Sequence, residues 1–524
     1  MVVVDDLGPR GLRVRQPLLG RAGPGDGGQD EDERERGEGG RRQAGAHRPM
    51  LPKSYHAGRM TRPISVHKFG GTSLGSAERI VAAARLLRKA AARSPVVAVA
   101  SAMGGVTDVL LAAARDAERG RLAAARRAVA AVRDRHQEAA AGISRATGKA
   151  VAFDEGLLGQ LDTALAGVSM LRERTPRVTD LISSFGERLS APLVASTLEA
   201  LGTPSHAVDA RAFLVTDERH GGAQCDRKRS DPRIRRALLP LAGKGVLPVV
   251  TGFVGRSPSG ETTTLGRSGS DTTAALLGAA LGAREVVIWT DVDGVLSADP
   301  RLVPSAHLLS RLSYREAAEM TYFGAKVLHF PAVLPAIAEA IPLVIRNSFA
   351  PAGRGTTVSS RGSERKGVRA VTSIPGLCLI SLDGRGMTGV PGIAARVFST
   401  TARLGVSVVM FSQASSEQNI ALIVPESDRA RTVAALLGEF RYERLTGAID
   451  GVTARAPIAV VAAVGDGMRG TQGIAARVFD AVARAGVNVE AIAQGSSECN
   501  ISFAVEEADR ASAVRALHEV VTPE

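Results

Sequence analysis

The chain has 524 residues, of which 44% are hydrophobic and only 3% aromatic, and its formal net charge at pH 7 is +13. This length allows two to four domains with a sizeable core, and no apolar run approaches the ~20 residues that a membrane span needs. The basic residues are mostly arginines scattered among acidic neighbours, without a stripe of interleaved aromatics. The scattered charge therefore predicts solvated helix faces and argues against a nucleic-acid partner, whereas the lack of a long apolar run argues against a membrane partner. The three cysteines, Cys225, Cys378 and Cys499, are widely spaced, which is typical of a reducing, cytoplasmic setting.

Residues 1–60 differ in composition from the rest of the chain, since Gly, Arg, Asp and Glu dominate them. Such a segment cannot bury enough apolar surface to order itself. It lacks the apolar core of a signal peptide, and its acidic residues argue against a transit peptide. We expect a disordered extension here, and we hypothesise that Met60 is the true start.

The first informative pattern is a strand over residues 64–69 that runs into glycines and then into a helix from Ser76. Such a turn offers free backbone N–H groups and the positive end of a helix dipole, which suit phosphate oxygens. Lys68, just before Gly70 and Gly71, adds an ammonium for a phosphoryl group. The spacing is neither that of a Walker A loop nor that of the dinucleotide fingerprint. A plain strand end followed by a tight turn is the alternative.

From residue 64 to about 360, strand and helix patterns alternate, with buried strands at 95–101, 246–254 and 285–290 and helical sequence at 108–143. Alternation of this kind predicts an open, mostly parallel sheet with helices on both faces. Ligands of such sheets bind beyond the carboxyl ends of the strands. The polar and glycine-rich loops of this chain fall at those ends.

Three of these loops carry charged residues that could join Lys68. The first places Arg267 and Asp271 before a helix expected at 274–281; Asp271 could hold a lysine, or it could be the helix N-cap. The second, residues 290–301, puts carboxylates and an arginine after a buried strand. The third supplies Lys326, whereas His329 and the lone Trp289 are interpreted as packing residues.

These groups favour phosphoryl transfer. Two lysines, an arginine and two glycine turns at helix N-termini would meet the charge of a triphosphate and of its transferring group. The sequence shows no Ser/His/Asp set. None is needed if the acceptor is a carboxylate, because its reference pKa of ~3.9 leaves it anionic at neutral pH.

The C-terminal part repeats itself. Residues 386–398 return as residues 467–479, an offset of 467 − 386 = 81. Each copy reads strand, glycine turn, helix, strand, strand, helix, with the second strand expected at 406–411 and 487–490. This order predicts two ferredoxin-like βαββαβ units.

Five motifs in the first part resemble those of aspartokinase, a member of the amino acid kinase family, and the two repeats resemble its paired ACT regulatory domains. The motifs are Lys68-Phe-Gly-Gly-Thr-Ser73, Ser183-Ser-Phe-Gly-Glu187, Thr264-Leu-Gly-Arg-Ser-Gly-Ser-Asp271, Trp289-Thr-Asp-Val-Asp-Gly294 and Phe323-Gly-Ala-Lys-Val-Leu-His329. The resemblance implies an α/β protein in which a mostly parallel sheet sandwiched by helices is followed by two ACT domains. We expect the kinase domain at 61–362 and the ACT domains at 376–448 and 457–524.

The resemblance also implies a role for each matching residue. Lys68, Asp271 and Lys326 would be catalytic. Aspartate would be held by Ser101, Thr107, Glu187, Arg267 and Ser270. ATP, carried with Mg²⁺, would be held by Lys68, Gly70, Gly71, Thr290, Asp291, Asp299, Arg301 and Lys326, and no protein metal site is expected.

Some positions depart from the family pattern. A tyrosine common in parts of the family is Leu296 here, the usual His-Pro is His329-Phe330-Pro331, and Ser268 replaces a frequent glycine. None of these changes removes a charged group that the reaction needs.

The activity implied is aspartate kinase, the first step toward lysine, threonine and methionine. The repeats look most like the regulatory half of bifunctional aspartokinase–homoserine dehydrogenases, but no dinucleotide fingerprint follows them, so we expect only the kinase reaction. The resemblance places threonine, with lysine as the other candidate effector, on Gln413 and Gln494, and it implies a homodimer or higher oligomer through the ACT domains. The alternatives are an inactive amino-acid-sensing subunit and a kinase for another acidic amino acid.

Overall fold

The computed structural model describes residues 63–325 and 327–522. The extension over residues 1–60, the hypothesis about Met60, and Lys326 all lie outside the described residues. No helix in the described ranges is long and apolar enough to cross a membrane.

Ten strands and nine α-helices are described between residues 63 and 359. The strands are β1 (Ser65–Phe69), β2 (Val96–Ala100), β3 (Ser205–Val208), β4 (Leu247–Thr251), β5 (Val254–Arg256), β6 (Thr262–Thr264), β7 (Glu285–Thr290), β8 (Arg311–Ser313), β9 (Leu343–Asn347) and β10 (Thr356–Ser359). The helices are α1 (Ala77–Ala91), α2 (Val106–Glu118), α3 (Leu122–Thr147), α4 (Gly156–Leu171), α5 (Pro176–Ala200), α6 (Arg227–Gly243), α7 (Gly269–Leu281), α8 (Tyr314–Tyr322) and α9 (Phe330–Ala338).

Eight of the strands form one sheet in the order β3-β4-β2-β1-β7-β9-β10-β8, and β5 and β6 form a separate antiparallel hairpin. In the large sheet only the β9–β10 pair is antiparallel. The predicted mostly parallel sheet is therefore confirmed. β1, which carries Lys68, lies between β2 and β7.

Helices cover both faces of this sheet. Val97 and Val99 of β2 pack in a core with α6, α7 and α9, whereas Val96 and Ala98 pack in a second core with α1 to α5. Strands buried on both faces read as continuous apolar runs. For that reason β2, β4 and β7 could be recognised in the sequence.

Helix ends follow local chemistry, and two predictions about them are wrong. The helix expected at 108–143 is two helices, because Gly120 adopts a left-handed conformation (φ 73°) between α2 and α3. The helix expected at 274–281 begins at Gly269, and its N-cap is Ser268, not Asp271. The polar first turn continues the helix because its side chains bond back to it, as Thr273 Oγ1 does to the Gly269 carbonyl at 3.0 Å.

The C-terminal region forms a six-stranded antiparallel sheet in the order β12-β13-β11-β14-β16-β15, built from two βαββαβ units as predicted. Its elements are β11 (Ala370–Asp383), α10 (Ile393–Arg403), β12 (Met410–Gln413), β13 (Asn419–Pro425), α11 (Arg429–Glu439), α12 (Arg441–Leu445), β14 (Gly451–Val464), α13 (Ile474–Arg484), β15 (Ala491–Ala493), β16 (Asn500–Glu506) and α14 (Arg510–His518).

The strands expected at 406–411 and 487–490 begin later than predicted, as β12 and β15. Val406 and Val487 are buried, but their amides close the preceding helices by bonding to the carbonyls of Thr401 (3.0 Å) and Val482 (3.3 Å). This is the hydrogen bond of a Schellman-type helix end, with a left-handed glycine before each valine. At both positions the buried valine therefore completes the end of a helix, whereas the sequence pattern predicted a strand.

β11 and β14 are each long enough to serve both units. Ala370 at the start of β11 pairs with Val464 at the end of β14, whereas Leu382 near the end of β11 pairs with Val452. The pairing register shifts between Ile374 and Leu379. The second unit thus takes a strand from the segment that precedes the first unit, and the two units share one sheet.

Candidate active site

Lys68 lies near the carboxyl end of β1 at the centre of the sheet. Its Nζ is 2.7 Å from Oδ1 of Asp271, and both side chains are 13% exposed. Asp271 lies in the first turn of α7. Breaking an ion pair with so little hydration is costly, because the remaining charge stays largely buried. The structure places these two predicted residues in direct contact.

The glycine turn after β1 packs against the polar turn after β2. The Gly71 carbonyl accepts a hydrogen bond from the Gly104 amide at 2.9 Å. A Cβ on Gly71 would lie 3.0 Å from the Ala102 carbonyl oxygen and 3.1 Å from Gly104 Cα, so a larger residue would push two backbones apart. This close approach brings the ends of β1 and β2, with Lys68 and Ser101, to one side of the sheet.

The residue before Lys68 in β1, His67, is neutral. His67 Nδ1 accepts a hydrogen bond from Trp289 Nε1 at 3.1 Å, and burial lowers the pKa of His67 to about 4. Trp289 is buried and stacks on Phe69 with ring centroids 5.8 Å apart. His67 is therefore uncharged at neutral pH, and the charges of Arg284 and Arg346 also lower its pKa.

A cavity of about 250 Å³, here called the Lys68 cavity, collects six of the predicted residues. The six are Lys68, Ser101, Thr107, Glu187, Ser270 and Asp271. The remaining lining comes from residues that the sequence analysis did not assign to the site, namely Phe253, Gly266, Ser268 and Gly269. The ten lining residues come from β1, α2, α5, α7 and the connecting loops, as expected for ligand sites beyond the strand ends of such sheets.

Glu187 is the most perturbed group in this cavity. It lies within α5 and is 4% exposed, and its Oε2 has no hydrogen-bond partner among the described residues. Burial raises the pKa of Glu187 to about 8, against the opposing effects of a backbone hydrogen bond from Ala102 and the charge of Lys68. A buried carboxyl group that lines a cavity and has one unpaired oxygen is suited to an incoming cation such as an ammonium group.

Arg267 is the predicted substrate residue that the structure does not bring into this cavity. It is exposed, on the turn between the lining residues Gly266 and Ser268. Ser268 adopts a left-handed conformation (φ 56°), which is rare for a residue other than glycine. The glycine that the family often has at this position would avoid that strain.

Asp180 is a residue of the site region that sequence reasoning missed. It is 2% exposed, and its carboxylate accepts hydrogen bonds from the Gly221 amide (3.0 Å) and from the amide and hydroxyl of Thr264 (3.1 and 2.6 Å). It thereby fixes the end of β6, which leads into the turn that carries Arg267. The available signal was its position seven residues before Glu187, which is two helical turns and so the same helix face.

The predicted nucleotide residues are divided between two places. Asp299 and Arg301 form an ion pair (Nη2 to Oδ2, 2.7 Å) whose hydrogen bonds lower the pKa of Asp299. Both line a second cavity of about 310 Å³, here called the Asp299 cavity, together with Leu296 and Ala325. Ala325 is the last described residue before Lys326.

Thr290, Asp291, Gly70 and Gly71 line neither of these two cavities. Thr290 ends β7, and its hydroxyl donates to Oδ1 of the exposed Asp291 at 3.2 Å. Since β7 is the neighbour of β1, these residues and the glycine turn lie at adjacent strand ends.

Gln413 and Gln494 line one large cavity of about 1100 Å³, here called the edge-strand cavity. Its walls come from the edge strands β12 and β15 of the C-terminal sheet and from α8 and the start of α9. The structure thus brings the two predicted effector residues together, at the border between the two parts of the chain.

Comparisons with known proteins agree with this architecture. A model of the amino acid kinase family matches residues 63–347, and an ACT domain model matches residues 380–440 and 461–521. The chain is 36% identical over 463 residues to a chloroplastic bifunctional aspartokinase/homoserine dehydrogenase of Zea mays, covering 87% of this chain and 50% of that protein. It is 34% identical to the chloroplastic aspartokinase 1 of Arabidopsis thaliana, covering 87% of this chain and 79% of that protein.

Among solved structures, that of E. coli aspartokinase III in complex with aspartate and ADP is similar to this chain, with 30% sequence identity and a TM-score of 0.70. The match covers 87% of this chain and 99% of that one. The chain spans about half the length of the bifunctional plant relatives that it matches. The chain belongs to the amino acid kinase family and, within that family, to the aspartokinases with ACT domains.

The strain at Ser268 can be measured. Ser268→Gly should raise the free energy of unfolding by about 0.5 to 1 kcal/mol, because relief of the left-handed conformation outweighs the larger backbone entropy of glycine in the unfolded chain. The matched control is Ser76→Gly, at an N-cap with φ −150°, where loss of the side-chain cap should lower stability slightly. Denaturant unfolding gives the free energy of unfolding of the wild type and of the two variants. A Ser268→Gly protein less stable than the wild type would contradict the assignment of backbone strain to Ser268.

The burial of Glu187 has a pH signature. Because its folded-state pKa of about 8 exceeds its ordinary value of 4.5, the stability that protonated Glu187 contributes is lost as pH rises from about 4.5 through about 8. Glu187→Gln should remove this loss, so the substitution should raise Tm by a few degrees more at pH 8.5 than at pH 5.5. Glu199→Gln, an exposed position on the same helix, is the control and should show no such difference. If the change in Tm depended on pH in the same way for both substitutions, the raised pKa assigned to Glu187 would be refuted.

Proposed function

We propose that the chain is an aspartate kinase, which transfers the γ-phosphoryl group of ATP to the side-chain carboxylate of L-aspartate and forms 4-phospho-L-aspartate and ADP. One observation carries this proposal: a single small cavity contains both the Lys68–Asp271 ion pair and the carboxyl group of Glu187, whose Oε2 has no partner among the described residues. The first suits a transferring phosphoryl group and the second suits the α-ammonium group of an amino acid.

The reaction needs no general base on the protein. A carboxylate acceptor with a reference pKa of ~3.9 is already anionic at neutral pH, so the obstacle is the approach of two anions. Lys68 offsets that repulsion, and Asp271 holds its ammonium in one place, which lowers the cost of positioning. Ser101, Thr107 and Ser270 offer hydroxyls to the substrate, and Arg267 would reach its carboxylate from the exposed turn.

Glu187 would select an amino-acid substrate. Its protonated form suits the ligand-free cavity, whereas an ammonium group close to Oε2 would favour the carboxylate. Binding of the substrate at pH below about 8 would therefore release a proton from Glu187. An acid without an amino group would lack the partner that offsets the desolvated carboxylate.

The nucleotide would lie between the ends of β1 and β7 and the Asp299 cavity. Mg²⁺ prefers oxygen ligands and is usually held by one or two carboxylates together with substrate phosphates. The exposed Asp291 at the end of β7 is a suitable ligand of that kind. The ion would neutralise charge on the β- and γ-phosphates.

A kinase for another acidic amino acid and an inactive amino-acid sensor are the other candidates. The paired ACT units and the relatives' similarity over 87% of the chain favour aspartate over another acidic substrate. The largely buried Lys68–Asp271 pair favours catalysis over sensing, because a sensor gains nothing from an ammonium at the carboxyl end of β1.

The test is an ATP- and Mg²⁺-dependent assay on L-aspartate in which hydroxylamine traps the acyl phosphate. Lys68→Ala should lower kcat by at least about 10²-fold, since it removes a charge that meets the developing phosphoryl group. Lys89→Ala, at an exposed position of α1, is the control and should leave turnover unchanged. Circular dichroism would show that both variants are folded.

Two outcomes would overturn the proposal. Turnover of L-aspartate could be absent from folded wild-type protein, which would favour the sensor. Alternatively, Lys68→Ala could retain full activity, which would remove Lys68 from catalysis. Glutamate run in parallel separates the two acidic substrates.

We further propose that threonine, or lysine, regulates the kinase through the ACT units, with Gln413 and Gln494 in the effector site, in a homodimer or higher oligomer. The physical connection is α8. Glu316 Oε1 accepts a hydrogen bond from the Asp466 amide (3.1 Å), and Glu319 Oε2 accepts one from Asn500 Nδ2 (2.6 Å). At the end of the same helix, the Tyr322 hydroxyl donates to the Val409 carbonyl (2.7 Å).

These three contacts recur every three residues along α8 and reach both ACT units. The helix then leads through Gly324 and Ala325, which line the Asp299 cavity, to Lys326. A shift of β12 or β16 on effector binding would therefore move the segment that is expected to contact ATP. Allosteric coupling of this kind typically amounts to about 1–3 kcal/mol.

Tyr322→Phe tests this connection, because it removes one hydroxyl and keeps the ring. Basal turnover should stay within about twofold, whereas the threonine concentration for half-inhibition should change by several-fold, as expected for one hydrogen bond worth about 1 kcal/mol. Tyr442→Phe, at a 74% exposed position on α12, is the control. The proposal would be contradicted if the threonine concentration for half-inhibition were the same in both variants as in the wild type. If lysine alone inhibits the wild type, the same comparison is made with lysine.

A further inference from the structure

A third cavity, of about 290 Å³, has no role in the function proposed above. It is here called the arginine cavity. Four arginines line it, together with the turn between β5 and β6. They are Arg211 after β3, Arg229 and Arg233 on α6, and Arg256 at the end of β5.

The cavity carries an excess of positive charge. Arg211 is held by the carboxylate of Asp209, with Nη2 2.6 Å from Oδ2, and it also donates to Thr262 Oγ1 at 3.0 Å. Arg229 lies 3.5 Å from a carboxylate oxygen of Asp226. These two arginines are therefore partly neutralised and, in the case of Arg211, fixed in orientation.

The other two arginines are not neutralised. Within residues 63–325 and 327–522, neither Arg233 nor Arg256 forms an ion pair, and Arg256 Nε donates only to the carbonyl of Gly260 (3.1 Å). That bond bends the guanidinium toward the hairpin turn and leaves its Nη groups for another acceptor. Arg229, Arg233 and Arg256 are exposed, so solvent screens much of the repulsion among the guanidinium groups, and a bound anion would offset the part that remains.

We propose that the arginine cavity binds a small phosphate-bearing anion. Guanidinium forks match phosphate oxygens in geometry and bind them through paired, charge-assisted hydrogen bonds. Ser257 also lines the cavity, and its hydroxyl becomes a further donor when it accepts the proton of the Ser259 hydroxyl, 2.7 Å away in the same turn. The volume of the cavity admits a phosphate group with a small organic part. The positive charge is concentrated at one cavity and does not follow a stripe, and this arrangement suits a compact anion and not a nucleic acid.

Occupancy of this cavity would act on the β5–β6 hairpin. Arg256 ends β5 and pairs with Thr262 of β6, and the Arg256 side chain spans the turn that joins the two strands. β6 ends at Thr264, which Asp180 holds and which leads into the turn of Arg267 and Ser268. A bound anion would thus stabilise the β5–β6 hairpin, which comes in the sequence just before the turn that lines the Lys68 cavity.

The experiment is isothermal titration calorimetry of the full chain with inorganic phosphate, pyrophosphate and glycerol 3-phosphate, each at an ionic strength kept constant with NaCl. The variant is Arg233→Gln/Arg256→Gln. The matched control is Lys228→Gln/Arg236→Gln, which removes the same charge from exposed positions of α6 that do not line the cavity. Binding is measured directly, so the result does not depend on the kinase assignment.

We expect saturable binding of at least one probe to the wild type and to the control, weakened at least tenfold in Arg233→Gln/Arg256→Gln. Tightest binding of inorganic phosphate or pyrophosphate would identify a free anion as the ligand, and tightest binding of glycerol 3-phosphate a phosphate ester. Equal affinity of the two double variants would place any bound phosphate elsewhere, for example at Lys68, and would overturn the proposal. So would the absence of saturable binding to the wild type. Thermal unfolding would show that both variants are folded.

Discussion

The ion pair between Lys68 and Asp271 is the interaction on which the arrangement of the site depends. It joins β1, the middle of the sheet, to the first turn of α7, and both partners are nearly buried. Loss of one partner would leave an uncompensated charge at a cost of about 3–5 kcal/mol. The pair therefore fixes the distance between the glycine turn after β1 and the polar turn before α7. The neutral His67 and Trp289 below it add no competing charge.

The burial of Glu187 shows that the residues of this site do not maximise the folding stability of the protein. A buried carboxyl group with an unpaired oxygen and a pKa of about 8 destabilises the ligand-free fold at high pH. Ser268, in a left-handed conformation, adds strain to the neighbouring turn. Both costs lie in the Lys68 cavity, and a ligand with a positively charged group would relieve the larger one. This concentration of unfavourable features is what binding sites, in contrast to packing cores, commonly show.

The sequence predicted the fold well where one physical signal dominates. Continuous apolar runs identified β2, β4 and β7, and the 81-residue repeat predicted the two βαββαβ units. It failed where two signals compete: Val406 and Val487 close helices although they are apolar, and the polar first turn of α7 is helical because its side chains bond back to it. Asp180 was missed because its partners, Gly221 and Thr264, are distant in the sequence. The sequence motifs predicted six of the residues that line the Lys68 cavity. They could not predict that Arg267 is exposed, because its exposure depends on the conformation of its turn, which no motif specifies.

The C-terminal sheet constrains how regulation could work. β11 and β14 each run through both ACT units, and the second unit takes a strand from residues 370–374. The two units are therefore coupled through the β11–β14 pairing, so an effector at one unit would also act on the other. α8 contacts this sheet and its adjoining loops at three points, through Glu316, Glu319 and Tyr322. A rigid sheet held against one helix converts a small change at the sheet edge into movement of the segment after that helix, and this segment lines the Asp299 cavity.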